Sequence, residues 1–274
     1  MSKPIRLVGL DLDGTVLRHD HSISPRTAEA IRRANEQGCM VIPATGRPLR
    51  GVPDEFLNIP GVVWVLTANG ATVTDRTGKH EPLHFWIPIE HWFKARELTA
   101  HLDRVIDLFV NGTAYNNQSL MDTAEKWAPP GMADYIRRSR QGVPDLAEFA
   151  RTLTGVEKCN MFFEKPEERL EAKRILEESG LFAVTSSAPN NLELNAAGVN
   201  KGRSLLALGE LLGLDREQVM ACGDSSNDWA MLKAVGLGVA MGNADEETKA
   251  IADVTTATNE EDGVALAIET YVLR

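Results

Sequence analysis

The stretch VGLDLDGTVL, residues 8–17, places two carboxylates directly behind an apolar run near the start of the chain. Residues 5–11 read IRLVGLD, a short run rich in β-forming residues that is typical of a strand buried on both faces. Asp11 therefore falls where this strand ends, and Asp13 falls in the turn that follows. Gly14 favours a sharp turn there because glycine has no Cβ. The pattern predicts that the first strand delivers two acids to one place.

Alternating helix and strand patterns surround this stretch. Ser24 and Pro25 mark the start of a helix, and Gly38 marks its end. The run CMVIPAT, residues 39–45, predicts a second buried strand, and GVVWVLTANGA, residues 61–71, predicts a third. Strand, helix and strand in this order are typical of a parallel sheet with right-handed crossovers.

The alternation stops after the third strand and resumes behind Gly198. Between these points lie two hairpin patterns, several helix patterns and residues 105–117, VIDLFVNGTAYNN, which alternate like one strand exposed on one face. We therefore predict an α/β protein with a doubly wound, Rossmann-like parallel sheet and an inserted α+β cap domain. Its predicted domains are a core of residues 1–82 and 191–274 and an insertion of residues 83–190.

Charge and cysteine content narrow the class of protein. The 274 residues carry a formal charge of −10, which disfavours binding to nucleic acid through a basic face. The cysteines, Cys39, Cys159 and Cys222, are odd in number and widely spaced, which is not typical of a disulfide framework. We find no signal-peptide pattern and no bilayer-length apolar run. We therefore expect a cytoplasmic protein with neither nucleic-acid nor membrane partners; the sequence leaves the oligomeric state open.

Four chemistry-bearing residues fall at the ends of predicted elements. Asp11, Thr45 and Asp224 end strands, and Lys201 opens a helix. Ligands of open parallel sheets bind at the carboxyl ends of the strands, so we expect one common site. Carboxylates are suitable ligands for Mg²⁺, whereas a threonine hydroxyl and a lysine are suited to phosphate oxygens. The combination predicts a phosphoryl group bound beside Mg²⁺.

The two acids of the first stretch have complementary chemical uses. One carboxylate can attack phosphorus and form an aspartyl-phosphate. A nearby carboxylic acid can protonate the leaving oxygen and then deprotonate the hydrolytic water. Asp11 and Asp13 are spaced so that both can face one phosphate while the Asp13 carbonyl reaches the metal.

Four motifs, in order, resemble those of the haloacid dehalogenase superfamily. They are DLDGT at residues 11–15, ATGR at 44–47, the lysine of NKG at 200–202 and GDSSND at 223–228. The insertion between the second and third motifs resembles the type C2 cap of the Cof-like hydrolase branch. The resemblance extends over nearly the whole chain.

The resemblance implies a role for each matching residue. Asp11 is the expected nucleophile and a Mg²⁺ ligand, Asp13 is the expected general acid/base whose carbonyl also binds Mg²⁺, and Asp224 is the expected third ligand. Asp228 is expected to support Lys201 or the metal shell. The residues expected to bind phosphate or substrate are Thr45, Lys201, Asn227 and the backbone amides of Leu12 and Gly46.

These inferences predict a Mg²⁺-dependent phosphatase acting on a small phosphorylated metabolite. By resemblance, sugar phosphates are the leading substrate class, followed by phosphorylated cofactors such as pyridoxal phosphate or flavin mononucleotide. A phosphomutase or phosphotransferase would use the same motifs and is an open alternative. A non-catalytic phosphate-binding regulatory protein is a weaker alternative, since the chain retains all four charged motif residues.

A histidine pair and a run of arginines are interpreted as surface features with no catalytic role. His19 and His21 are interpreted as part of a polar loop, with a transition-metal site as the alternative. Arg137, Arg138 and Arg140 are interpreted as a solvated helix face, with a clamp for a distal phosphate or carboxylate as the alternative.

Overall fold

A computed structural model describes residues 3–128, 131 and 133–273 of the chain. The strands are β1 (Leu7–Leu10), β2 (Met40–Pro43), β3 (Trp64–Thr67), β4 (Thr72–Asp75), β5 (Leu83–His84), β6 (Ile87–Pro88), β7 (Arg104–Val110), β8 (Thr113–Asn117), β9 (Arg140–Val143), β10 (Gly155–Val156), β11 (Lys158–Phe163), β12 (Phe182–Thr185), β13 (Asn191–Ala196), β14 (Val219–Gly223), β15 (Leu237–Ala240) and β16 (Val254–Thr255). The α-helices are α1 (Pro25–Glu36), α2 (Asp54–Leu57), α3 (Ile89–Leu98), α4 (Gln118–Met121), α5 (Ala133–Ser139), α6 (Leu146–Ala150), α7 (Pro166–Glu178), α8 (Lys201–Leu211), α9 (Trp229–Ala234), α10 (Glu246–Ile251) and α11 (Gly263–Tyr271).

The chain divides into two compact units. The first unit comprises Met1–Gly46, Val52–Leu83 and Asn200–Arg274, and the second comprises Arg47–Gly51 and His84–Val199. The second unit thus extends to Val199, past the predicted boundary at residue 190. The reason is that β13 pairs with β11 and β12 in the sheet of the second unit, so its side chains contribute to that unit's core.

A five-stranded parallel sheet forms the centre of the first unit, in the order β16-β15-β14-β1-β2. All four residues of β1 are buried, as its apolar sequence predicts. The third predicted strand, β3, joins the edge of β2 through a single parallel bridge between Ala44 and Leu66 and then pairs antiparallel with β4. The prediction of an α/β fold with a parallel sheet is therefore confirmed.

The first crossover helix begins and ends where its sequence signals predict. The Ser24 side chain accepts a hydrogen bond from the Thr27 N–H, and Pro25 occupies the first helical position. Gly38 follows the helix with a φ of +80°, a backbone conformation that favours glycine. The buried face of α1, which includes Ile31 and Ala34, lies toward the core.

The second unit is built on a six-stranded sheet in the order β12-β13-β11-β7-β8-β9. One face packs against α3 and α7 in an apolar core that includes Trp92, Met161 and Leu176. Residues 105–117, predicted as one half-exposed strand, form most of two strands, β7 and β8. The chain reverses between them at Asn111 and Gly112, both of which adopt positive φ.

The described chain contains Cys39, Cys159 and Cys222 as free, buried thiols. Burial raises the pKa of the Cys39 and Cys222 thiols to about 12. Among the described residues, every helix is too short or too polar to cross a bilayer.

Candidate active site

The first acid stands at the end of the central strand. Asp11 directly follows β1, and its backbone N–H donates to the Cys222 carbonyl of the neighbouring β14 at 3.0 Å. Its side chain is buried, because strands pack on both sides of β1. Asp13 lies two residues further on and is exposed. The structure thus separates the two acids into a buried and an accessible carboxylate.

Gly14 brings the turn behind Asp13 close to the loop that carries Asp224. Gly14 has a φ of +78°, and a Cβ built on it would lie 2.4 Å from Asp224 Oδ2. The adjacent Thr15 donates its hydroxyl to Asp224 Oδ1 at 3.1 Å. Glycine at this position therefore allows the Asp224 carboxylate to lie against the backbone of the first motif.

Lys201 connects the acids of two motifs. It is the first residue of α8, whose start is capped by the Asn200 side chain. Its Nζ donates to Asp11 Oδ1 at 2.6 Å and to Asp228 Oδ1 at 2.7 Å. The Lys201 side chain has no exposed surface, and a buried ammonium is stable only when it is paired. Burial alone would lower the pKa of Lys201, but Asp11 and Asp228 raise it above its usual value, so the lysine stays charged.

Asp228 holds both Lys201 and the Asp224 loop in place. One carboxylate oxygen accepts from Lys201, while Oδ2 accepts from the backbone N–H groups of Asp224 at 3.0 Å and Ser225 at 3.2 Å. A Cβ on Gly223 would lie 2.5 Å from the Asp228 Cβ, so the glycine allows this close approach. Direct contact with Lys201 is one of the two supporting roles that the sequence left open for Asp228, and its carboxylate also lies beside those of Asp11 and Asp224.

Three acids form a cluster around Lys201, which pairs with two of them. Ligand atoms of Asp11, Asp224 and Asp228 all lie within 4.8 Å of one another. Burial and the Asp228 charge raise the pKa of Asp11, against the opposing effect of Lys201. The same two causes raise the pKa of Asp224 to about 6, and the charge of Asp13 adds to both shifts. Clustered hard oxygens with excess negative charge fit a divalent cation.

Thr45 lies at the end of β2, the neighbour of β1. It is buried; its N–H donates to the Leu66 carbonyl and its carbonyl accepts from the Asn69 N–H, each at 3.0 Å. These bonds fix the backbone at the carboxyl ends of β2 and β3. The next residue, Gly46, is partly exposed at the same end of β2. The structure therefore brings Thr45 to the edge of the sheet that also carries Asp11.

Leu12 and Asn227 occupy the two acid-bearing loops. Leu12 is buried, and its carbonyl accepts from the Thr15 and Leu17 N–H groups, which closes the turn of the first motif. The Asn227 amide oxygen accepts from the Ser225 hydroxyl at 2.8 Å. Asn227 is thus held within its own loop, beside Asp228.

Sequence reasoning missed two residues that support the site. Thr15 binds Asp224, as described above, although it stands inside the first motif. Asn243 donates its Nδ2 to the Gly14 carbonyl at 2.8 Å, and its Oδ1 accepts from the Asn259 N–H at 3.0 Å. Its position behind β15, at the same edge of the parallel sheet, is the signal that could have identified it.

The histidine and arginine clusters lie elsewhere. His19 and His21 are exposed, and the His19 N–H donates to Glu260, as a polar loop predicts. The interpretation of all three arginines as a solvated helix face is wrong for Arg140. Arg140 begins β9, and its Nε pairs with the fully buried Asp107 at 3.0 Å.

Comparisons with known proteins identify the family. A family model for haloacid dehalogenase-like hydrolases matches residues 8–268. The 5-amino-6-(5-phospho-D-ribitylamino)uracil phosphatase YcsE of Bacillus subtilis is 33% identical, covering 98% of this chain and 96% of that protein. The pyridoxal phosphate phosphatase YbhA of Escherichia coli is 29% identical, covering 98% and 99%. A solved haloacid dehalogenase-like hydrolase from B. subtilis aligns with a TM-score of 0.83 at 30% identity, covering 97% and 99%.

The parallel sheet, with its acids and lysine at one edge, defines an α/β protein with a charged site at the carboxyl ends of its strands. The chain belongs to the haloacid dehalogenase-like hydrolases. The resemblance inferred from the four motifs and the prediction of an enzyme of this superfamily are thereby confirmed.

Proposed function

We propose that this protein is a Mg²⁺-dependent phosphatase that hydrolyses a small phosphorylated metabolite through an aspartyl-phosphate on Asp11. One observation carries the proposal. A fully buried lysine contacts the acids of two motifs, Asp11 at 2.6 Å and Asp228 at 2.7 Å, at the carboxyl edge of a parallel sheet. Such an arrangement orients the Asp11 carboxylate, and the Lys201 charge favours its ionised form against the burial that raises its pKa, as a nucleophile requires.

Asp11, Asp224 and the backbone carbonyl of Asp13 are the groups that would hold Mg²⁺. The donor set fits, because all are hard oxygens and the acid cluster carries excess negative charge. When bound, Mg²⁺ supplies charge neutralisation of the phosphoryl oxygens. Asp228 is better suited to positioning, since its two oxygens already accept from Lys201 and from two backbone N–H groups.

Asp11 and Asp13 divide the chemistry between them. An Asp11 oxygen attacks phosphorus, and the bond from phosphorus to the ester oxygen breaks while Asp13 donates a proton to that oxygen. Water then attacks the aspartyl-phosphate, Asp13 accepts its proton, and the bond between phosphorus and Asp11 breaks to release phosphate. The exposure of Asp13 and the burial of Asp11 support this division, since the acid/base must exchange protons with solvent.

Charge and hydrogen-bond donors for the phosphoryl group come from several elements. Lys201 lies beside the proposed nucleophile and offsets the charge that develops on the phosphoryl oxygens. Thr45 supplies a hydroxyl from the end of β2. The backbone amides of Leu12 and Gly46 and the side chain of Asn227 complete the proposed set.

The relatives support a small phosphorylated substrate. YcsE is named for a phosphorylated ribitylaminouracil and YbhA for pyridoxal phosphate. Both compounds are phosphate monoesters of compact metabolites. We therefore extend this substrate class, which includes sugar phosphates and phosphorylated cofactors, to the present chain.

Phosphate release from p-nitrophenyl phosphate tests the proposal. The natural protein, Asp11→Asn and the surface control Asp134→Asn are assayed with Mg²⁺ and with EDTA, in the absence of any acceptor sugar. We expect Mg²⁺-dependent turnover by the natural protein and Asp134→Asn, and none by Asp11→Asn. Full activity of folded Asp11→Asn would refute the nucleophile, and a strict requirement for an acceptor would indicate a phosphotransferase.

A further inference from the structure

The turn that carries Asp13 contains a conformationally permissive residue. Gly14 adopts a φ of +78°, and glycine has more accessible backbone conformations than any other residue. Inside the turn, the Leu12 carbonyl accepts from the Thr15 N–H at 3.2 Å and from the Leu17 N–H at 2.8 Å. The Gly14 carbonyl and the Thr15 N–H belong to the same planar peptide unit. The orientation of this unit, one residue beyond Asp13, therefore also depends on what the Gly14 carbonyl contacts.

Two asparagines from the chain beyond β15 hold this turn by its backbone. Asn243 Nδ2 donates to the Gly14 carbonyl at 2.8 Å, and Asn259 Nδ2 donates to the Leu17 carbonyl at 2.8 Å. The two asparagines also contact each other, because the Asn259 N–H donates to Asn243 Oδ1 at 3.0 Å. This asparagine pair thus holds the backbone at both ends of residues 14–17.

The asparagine pair is itself held in a defined place. The Gly242 N–H donates to the Ala257 carbonyl at 3.0 Å, which joins the two loops that carry the pair. Thr258 and Glu261 form a capping box around the short helical turn that begins at Asn259, and each side chain accepts from the other residue's backbone N–H. Asn259 is buried. Because the pair and the turn of the first motif lie in the same compact unit, the pair can fix the geometry of that turn.

We propose, building on the phosphatase function proposed above, that Asn243 is a positioning residue for the general acid/base Asp13. Its hydrogen bond to the Gly14 carbonyl fixes the backbone directly behind Asp13 and thereby the position of the Asp13 carboxyl group. Asn243 acts through the backbone, since its amide side chain does not ionise. A general acid must lie within hydrogen-bond distance of the ester oxygen that it protonates, so loss of this position slows the departure of that oxygen.

Two aryl esters of similar size separate this role from a general loss of activity. p-Nitrophenolate leaves as a stable anion, whereas the more basic phenolate of phenyl phosphate depends on protonation as it leaves. The kinetic constant kcat/KM reports the transition state of the step in which the ester bond breaks. In Asn243→Ala we expect kcat/KM for phenyl phosphate to fall by about tenfold, and kcat/KM for p-nitrophenyl phosphate to fall by less than about threefold.

A double-mutant cycle with Asp13→Asn identifies the residue through which Asn243 acts. Asp13→Asn removes the proton donor, so the position of that side chain no longer affects the departure of the ester oxygen. We expect Asn243→Ala to lower kcat/KM for phenyl phosphate by about tenfold in the natural protein and by less than about twofold in the Asp13→Asn variant. Equal fold-losses in the two proteins would overturn the proposal, because Asn243 would then act independently of Asp13.

Asn35→Ala is the matched control, because Asn35 makes the same kinds of bond in the same unit. Its Nδ2 donates to the Pro60 carbonyl at 2.9 Å, and its Oδ1 accepts from the Val41 N–H at 3.0 Å. Val41 lies near the amino end of β2, whereas the site lies beyond the carboxyl end of this strand. Each variant therefore loses one donated and one accepted bond, and only Asn243→Ala releases the turn of Asp13. We expect similar Tm values for the two variants and unchanged kcat/KM on both esters for Asn35→Ala.

Failure of this proposal and failure of the phosphatase function give different results. If the natural protein hydrolyses neither ester, the phosphatase function is refuted, and the positioning role is refuted with it. If the natural protein is active and requires Asp11, but Asn243→Ala loses activity equally on both esters or has the same kinetics as Asn35→Ala, only the positioning role is refuted. A selective loss on phenyl phosphate that disappears in the Asp13→Asn variant supports it.

Discussion

Substitution of Gly14 by alanine should disable the site while leaving the fold nearly intact. Gly14 adopts a φ of +78°, and an added Cβ would lie 2.4 Å from Asp224 Oδ2. The left-handed backbone costs a non-glycine residue about 1–2 kcal/mol. The contact itself adds little to the free energy of folding, because Asp224 can rotate its carboxylate away. That rotation, however, breaks the hydrogen bond from Thr15 at 3.1 Å and displaces a proposed metal ligand.

The expected loss of activity follows from the size of this displacement. Relief of the contact requires a movement of about 1 Å, and a misplacement of that size in a catalytic site costs up to about 10²-fold in rate. We therefore expect kcat/KM on p-nitrophenyl phosphate to fall by about 10²-fold and the Mg²⁺ concentration for half-maximal activity to rise. The loss of 1–2 kcal/mol should lower Tm by only about 2–8 °C.

Gly78→Ala provides the matched control. Gly78 also has a positive φ, of +70°, but a Cβ there meets no atom within 4 Å. The two variants thus share the backbone penalty and differ in the contact with Asp224. We expect similar losses of Tm and normal activity in Gly78→Ala. Equal activity and equal Mg²⁺ dependence in the two variants would refute the reasoning that Gly14 makes room for a functional Asp224 carboxylate.

Three further perturbations test other parts of the molecule. Lys201→Met should abolish turnover and reduce the free energy of unfolding by about 3–5 kcal/mol, since it leaves buried carboxylates unpaired. Urea unfolding measures this loss, and an unchanged free energy of unfolding would contradict the stabilising role of the buried ion pairs. Asp13→Asn should slow turnover by about 10²–10⁴-fold at unchanged Tm, and normal single-turnover kinetics would remove its acid/base role. Hydrogen bonds from Thr77 and, to a smaller extent, His80 lower the pKa of Asp75 in the folded protein. The Asp75 carboxylate therefore stabilises the fold at pH values above the pKa that Asp75 has in the unfolded chain. This stabilisation is lost as the pH falls through the lower pKa of the folded protein. Asp75→Asn should therefore unfold more readily than the natural protein at neutral pH, and the difference should shrink as the pH falls below about 4, where the unfolded carboxyl becomes protonated; a difference that stays constant at all pH values would contradict this.

Local sequence patterns predicted much of the first unit because its elements obey simple rules. The apolar run before Asp11 became a fully buried strand, and Ser24, Pro25 and Gly38 bounded α1 as their backbone preferences require. The same reasoning failed for residues 105–117. The alternating pattern of this run predicted one strand, but positive φ at Asn111 and Gly112 reverses the chain.

Pattern reasoning also misjudged charged residues of the second unit. Charged side chains in a short run are usually solvated, and Arg137 does pair with exposed Glu125 and Asp134. Arg140, close by in sequence, instead pairs with Asp107, which lies more than thirty residues away along the chain and is fully buried. Sequence spacing carries no information about such a pair, because strand order in the sheet decides which side chains meet.

The sequence by itself determined the family of this protein, its parallel sheet and the residue types at the ends of its strands and helices. These features depend on local preferences and on motifs of a few residues. Only the tertiary structure decided that Lys201 lies between Asp11 and Asp228, that Gly14 admits the Asp224 carboxylate, and that Arg140 pairs with the buried Asp107. Those contacts join residues far apart in the chain, and their energies depend on burial and distance, which exist only once the chain has folded.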